Sequence, residues 1–100
     1  MATYVIFGVK NIADDDAMAR YNKAGAQAIA GHTFRYLAGP GPFTLLEGGE
    51  ALERVVLLEF ENRAAAEAWY HSEDYRQARK IRDDVSECVA IMIDSAPDRG

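Results

Sequence analysis

At 100 residues, with 49% hydrophobic and 27% charged positions, the chain has the length and composition of one soluble globular domain. A formal net charge of −5 and the lack of any uninterrupted basic patch argue against binding a phosphate backbone, so no nucleic-acid partner is expected. No apolar run approaches the ~20 residues that span a bilayer, no basic region precedes an apolar segment near Met1, and a single cysteine, Cys88, precludes an internal disulfide. The expectation is a cytoplasmic protein with no membrane partner.

Thr3 to Val9, "TYVIFGV", is β-branched and aromatic and apolar on both parities, the pattern of a central strand covered on both faces. Asp14-Asp15-Asp16 offers an N-cap and first-turn acids. Met18, Tyr21, Ala24, Gly25, Ala28 and Ile29 follow at helical spacing, so a helix is expected from about 15 to 30, ended by Gly31. A second strand is expected at His32 to Leu37, "HTFRYL". "GPGP" at Gly39 to Pro42 interrupts pairing, "FTLLE" at Phe43 to Glu47 resumes a strand, and Gly48-Gly49 makes a turn.

Arg54 to Phe60, "RVVLLEF", is the clearest strand. Asn62 caps a helix through "RAAAEAWY", and Ser72 caps a further one that carries Glu73 and Asp74 in its first turn. Glu87 to Asp94, "ECVAIMID", reads as a buried strand, apolar on both parities. One domain over 1–95 and a frayed polar tail over 96–100 are expected. The order is β-α-β-β-α-β, the split pattern of a ferredoxin-like α+β fold. Such a sheet carries helices on one face only. Since the first and last strands are apolar on both parities, a homodimer with sheets face to face is the simplest cover for the other face.

From "YVIF" at Tyr4 to "MID" at Asp94 the chain resembles a family of small bacterial proteins defined by a domain of unknown function, number 1330. "RVVLLEF", "AWYHSEDY" at Ala68 to Tyr75 with Arg82 seven residues on, "LEG" at Leu46 to Gly48 and "RYL" at Arg35 to Leu37 carry the resemblance. It implies ferredoxin-like subunits paired as a dimeric α+β barrel. Departures from the family pattern cluster around the second strand: Thr33-Phe34 replaces a glycine pair, Gly39-Pro40-Gly41 replaces an arginine followed by two glycines, and Met18 stands where an aromatic is common.

Arg35 lies inside a strand, and a charge pointing into a covered sheet needs a partner. Glu59, in the adjoining strand, is the expected one. The pair could grip a substrate carboxylate and move a proton, or it could be a structural ion pair at the subunit interface. His32 is a second acid/base candidate; His32 and His71 lack ligand partners, so no metal is expected. Cys88 reads as a small core residue with nothing nearby to lower its pKa. The glycine pairs do not open a helix as phosphate-binding loops do, and no nucleotide or other cofactor is expected.

On the last helix Tyr75, Ala78, Ile81, Arg82 and Val85 share one stripe, which leaves Arg82 at the edge of the core. Two functional classes follow. One is a cofactor-independent enzyme acting on a small organic acid or aromatic metabolite between sheet and helices, an expectation drawn from other dimeric α+β barrels. Arg35 and Arg82 would bind the anion, Tyr21, Trp69 and Tyr75 would line the cavity, and Glu59 or His32 would transfer protons. The alternative is a non-catalytic homodimeric binding or interaction module whose buried polar residues are structural.

Overall fold

The structure, a computed structural model, describes residues 1–48 and 51–97. Its elements are β1 (Thr3–Lys10), α1 (Asp15–Ile29), β2 (Phe34–Ala38), β3 (Leu52–Phe60), α2 (Arg63–Tyr70), α3 (Glu73–Asp83) and β4 (Glu87–Asp94). The strands form one sheet in the order β2-β3-β1-β4, and each neighbouring pair is antiparallel. This is the expected α+β, ferredoxin-like arrangement, with the second helical segment split at Ser72.

Each helix starts where a short polar side chain can satisfy a free backbone N–H. Asp14 Oδ1 accepts from Ala17 N at 3.1 Å, Asn62 Oδ1 from Ala65 N at 2.8 Å and Ser72 Oγ from Tyr75 N at 3.2 Å. Acids in the first turns of α1 and α3 face the positive helix end, and Lys80 and Arg82 lie in the last turn of α3.

Alternation along β1 fixes the two faces of the sheet. Thr3, Val5, Phe7 and Val9 are buried under the helices, with Leu58 and Phe60 from β3. Ala17, Met18, Ala28 and Ile29 of α1, Ala66 and Trp69 of α2, and Tyr75 and Ala78 of α3 complete that layer. Opposite it, three cross-strand rows face away from the helices: Glu59–Tyr4–Ile93, Leu57–Ile6–Ile91 and Val55–Gly8–Val89. In the single chain the β4 members of these rows are open to solvent, Val89 at 60%, Ile91 at 49% and Ile93 at 51%. β4 is thus an edge strand with one bare apolar face, the face that a single subunit with helices on one side of its sheet was expected to leave open. β1 is interior, between β3 and β4, and its second face is half-buried, with no helix over it among the described residues.

Two expectations around β2 are corrected. β2 begins at Phe34, so His32 stands in the turn after α1, its N–H donating to Ile29 O at 2.9 Å. "FTLLE" forms no strand. β2 leaves the β3 ladder at Ala38, and two prolines without N–H donors follow. Phe43, Leu45 and Leu46 are exposed in the loop. Gly39 adopts φ +72, and a Cβ there would overlap the Val55 carbonyl, so only glycine lets the chain turn this close to β3. Gly48, in the expected turn, has φ +107; Gly49 lies outside the described residues, as does the tail from residue 98.

A candidate binding pocket between the sheet and the helices

The apolar face of β1 and β3, α1, the end of α2 and α3 do not close completely on one another. They leave a cavity of about 250 Å³, larger than the ~150 Å³ that holds a benzene ring in an engineered core. The floor is Phe7 and Val9 from β1 with Arg54, Val56 and Leu58 from β3. One wall is the α1 stripe Met18, Tyr21, Asn22, Gly25 and Ile29; the other is Trp69, Tyr75 and Arg82. Tyr36 and Pro40 stand at the β2 edge, where the Gly39 turn brings the chain back across β3.

Aromatic packing sets the back of the cavity. Trp69 stacks on Phe60 with centroids 5.2 Å apart, meets Phe7 edge-on at 6.2 Å and lies 4.4 Å from the Tyr75 ring. Such pairs add about 0.5–1.5 kcal/mol each beyond their buried area. Trp69 is 2% exposed and its indole N–H has no hydrogen-bond partner among the described residues.

Arg82 is 3% exposed, an unusual place for a cation. Its Nη1 donates to the Tyr75 hydroxyl at 3.1 Å and, at 3.5 Å, to the Tyr21 hydroxyl, while Nη2 meets Asp83 Oδ1 at 3.1 Å. The guanidinium also lies 5.7 Å from the Phe7 ring centre and 5.4 Å from that of Tyr21. Burial works against its charge, but the surrounding Tyr75, Tyr21, Cys88 and Asp83 outweigh it, and Arg82 stays cationic. The Asp83 carboxylate that pairs with it is half-exposed and outside the cavity, so no buried anion neutralises Arg82. Its Nε is left without a partner. Burial, and then the neighbouring Tyr21, push the Tyr75 phenol far above the usual tyrosine range, which makes it a neutral hydroxyl at physiological pH.

Of the residues expected to form a site, the structure brings together Tyr21, Trp69, Tyr75 and Arg82. It separates them from Arg35 and Glu59. Those two are directly opposed across β2 and β3, with Arg35 Nε 2.9 Å from Glu59 Oε1, on the face turned away from the helices. The expected pairing is present, yet Arg35 and Arg82 cannot hold one small anion from opposite faces of a sheet. His32 does not line the cavity either. Among the described residues no three His, Cys, Asp or Glu side chains gather into a metal site. Cys88 is half-buried on the helix side of β4. Burial raises its thiol, with Arg82 acting in the lowering direction, a neighbour the sequence reading did not provide.

Arg54, Asn22 and Tyr36 are pocket residues that sequence reading did not single out. The signal for Arg54 was available: it shares the parity of Val56, Leu58 and Phe60, so a charge on the core-facing side of the clearest strand was legible.

A ferredoxin-like α+β subunit with a pocket between its sheet and helices is thus the class that fold and cavity define. The sequence matches the family described as Domain of unknown function (DUF1330) over residues 2–96, and the chain belongs to that family. No curated protein is similar enough to match. Among solved structures it resembles a protein of unknown function from Rhodopseudomonas palustris, at 16% identity and TM-score 0.76, covering 97% of this chain and 84% of that one. It also resembles a dimeric ferredoxin-like protein of unknown function from a Jannaschia species, at 16% identity and TM-score 0.69, covering 95% and 100%. SnoaB, a cofactor-independent oxygenase from Streptomyces nogalater, matches at 5% identity and TM-score 0.63, covering 98% and 96%. At such identities the likeness is one of fold.

Proposed function

We propose that this protein is a cytoplasmic homodimer whose subunits each bind a small organic acid or aromatic metabolite in the pocket and act on it without a cofactor. The observation that carries this reading is Arg82: a buried guanidinium beside an open cavity, with no buried carboxylate to balance it and one N–H unpaired. A buried cation without a buried counter-ion is costly, and an anionic ligand removes that cost.

The pocket chemistry this reading allows is electrostatic stabilisation of negative charge by Arg82 and proton exchange through the Tyr21–Tyr75 hydroxyl pair. Glu59 and His32 stand away from the cavity, so neither is assigned the proton step. The dimer is supported by the apolar rows on the bare face of the sheet and by the dimeric state of the ferredoxin-like relative. In that setting Arg35 and Glu59 are structural partners at the subunit interface.

The test is a thermal-shift screen of small carboxylates and phenols on wild type, Arg82→Gln and Arg35→Gln. A ligand that binds the native state at about a hundred times its Kd stabilises it by about 2.7 kcal/mol. The upward shift is expected in wild type and Arg35→Gln and is lost in Arg82→Gln. If no compound shifts wild type, the non-catalytic interaction module becomes the better account.

A further inference from the structure

Arg82 is not the cavity's only cation. Arg54 lines it from β3, half-buried, and has no hydrogen bond or ion pair among the described residues. Arg35, Arg63, Arg76, Arg79 and Arg82 each meet a carboxylate. Arg54 and Arg20 do not, and Arg20 is exposed on α1. The chain as a whole carries −5, yet no described Asp or Glu lines the cavity while two arginines do.

The two cations are separated along the floor. Phe7, under the Arg82 guanidinium, pairs with Val56, and Arg54 lies two residues earlier on β3 and on the same face. One strand repeat, about 6–7 Å, therefore separates Arg54 from the row beneath Arg82. The surfaces around and between them are apolar: Met18, Val9, Val56, Ile29 and the Phe7 and Trp69 rings.

We infer that the pocket selects a dianion: a small aromatic or similarly planar acid with a negative group at each end, one on the buried Arg82 and the other on Arg54. The inference rests on the pocket reading above and names its substrate class. A monoacid would satisfy Arg82 alone and leave Arg54 to solvent. A diacid spans both arginines across an apolar middle, and the surface charge of the protein disfavours it everywhere except this cavity.

The single tryptophan walls the pocket, so Trp69 fluorescence reports occupancy directly. Benzoate, isophthalate and terephthalate are titrated into wild type, Arg54→Gln and Arg54→Lys at fixed ionic strength. One diacid is expected to bind wild type about tenfold or more tighter than benzoate, the equivalent of about 1.4 kcal/mol. Arg54→Gln should abolish that preference by weakening the diacid far more than benzoate, and Arg54→Lys should retain part of it. Equal affinity for benzoate and both diacids in wild type, or equal weakening of all three by Arg54→Gln, overturns the two-anchor inference and leaves the pocket reading standing. If none of the three perturbs Trp69 fluorescence, the pocket reading itself is overturned. Circular dichroism of the variants establishes that they fold.

Discussion

The hydroxyls of Tyr21 and Tyr75 lie 2.8 Å apart across the contact between α1 and α3, and Arg82 Nη1 donates to both. Two helices that approach through apolar stripes thus share a buried polar knot. Each member depends on the others: either phenol alone would leave the guanidinium short of acceptors, and the guanidinium alone would be a bare buried charge.

Tyr75→Phe removes the acceptor at the centre of that knot. A loss of about 1–3 kcal/mol in unfolding free energy is expected, because a charged donor loses its partner in a buried site. The same substitution tests the pH behaviour. The folded chain keeps the Tyr75 proton well above pH 10, the value near which the unfolded chain releases it. Stability from this group is therefore complete below pH 10 and declines as pH rises beyond it. Wild type should lose stability in urea titrations as pH rises past 10, and Tyr75→Phe should lose distinctly less over the same interval. Equal alkaline slopes would contradict the assignment.

Arg82→Met keeps an unbranched side chain in the core and deletes the charge. Replacing a buried ion with an apolar residue of similar shape is often neutral or stabilising, so the melting temperature should stay within a few degrees of wild type. Arg82→Ala leaves a void as well and should cost about 2–4 kcal/mol. Calorimetry of both variants without ligand separates charge from packing. A large loss in Arg82→Met would mean that the knot with Tyr21 and Tyr75 is chiefly structural.

The fold was largely legible because its signals are local. Asp14, Asn62 and Ser72 are caps that act within three residues, and strand parity along "TYVIFGV" and "RVVLLEF" sorts side chains between two faces. The pairing of Arg35 with Glu59 was legible for the same reason, since two opposite charges in adjoining strands have few alternatives. Strand parity also put Glu59 on the face opposite Arg54, Val56, Leu58 and Phe60; what sequence did not provide was that the cavity forms on the latter face, because that depends on where the helices cross. Treating Arg35 and Arg82 as one anion site followed from residue type alone. The "FTLLE" segment failed differently: its β-prone composition follows the Gly39 turn and two prolines without N–H donors, which take the chain off the β3 ladder before it.

Charge placed on the bare face should divide the proposed dimer. Ile91 is opposite Ile6 in the central row and 49% exposed in the single chain. In Ile91→Glu a carboxylate would be buried between two sheets without a partner, at a cost of several kcal/mol in each subunit. Sedimentation at micromolar concentration should show wild type as a dimer and the variant as a folded monomer. A wild-type monomer under those conditions would remove the basis for face-to-face pairing.

If a second sheet covers that face, Arg35 and Glu59, which stand on it, report on the cover. Within one chain the Arg35 side chain is 70% exposed, and exposed ion pairs couple by only about 0.2–1 kcal/mol. Covering by a second sheet removes the screening water, and the coupling grows. A double-mutant cycle of Arg35→Ala and Glu59→Ala measured on the dimer should therefore exceed about 1 kcal/mol. The same cycle in the Ile91→Glu background should fall back into the exposed range. Ligand binding reported by Trp69 should stay within about twofold in Arg35→Ala dimers, because the pair and the pocket occupy opposite faces of the sheet. A coupling that is equally small in both backgrounds would mean that no second sheet covers this pair.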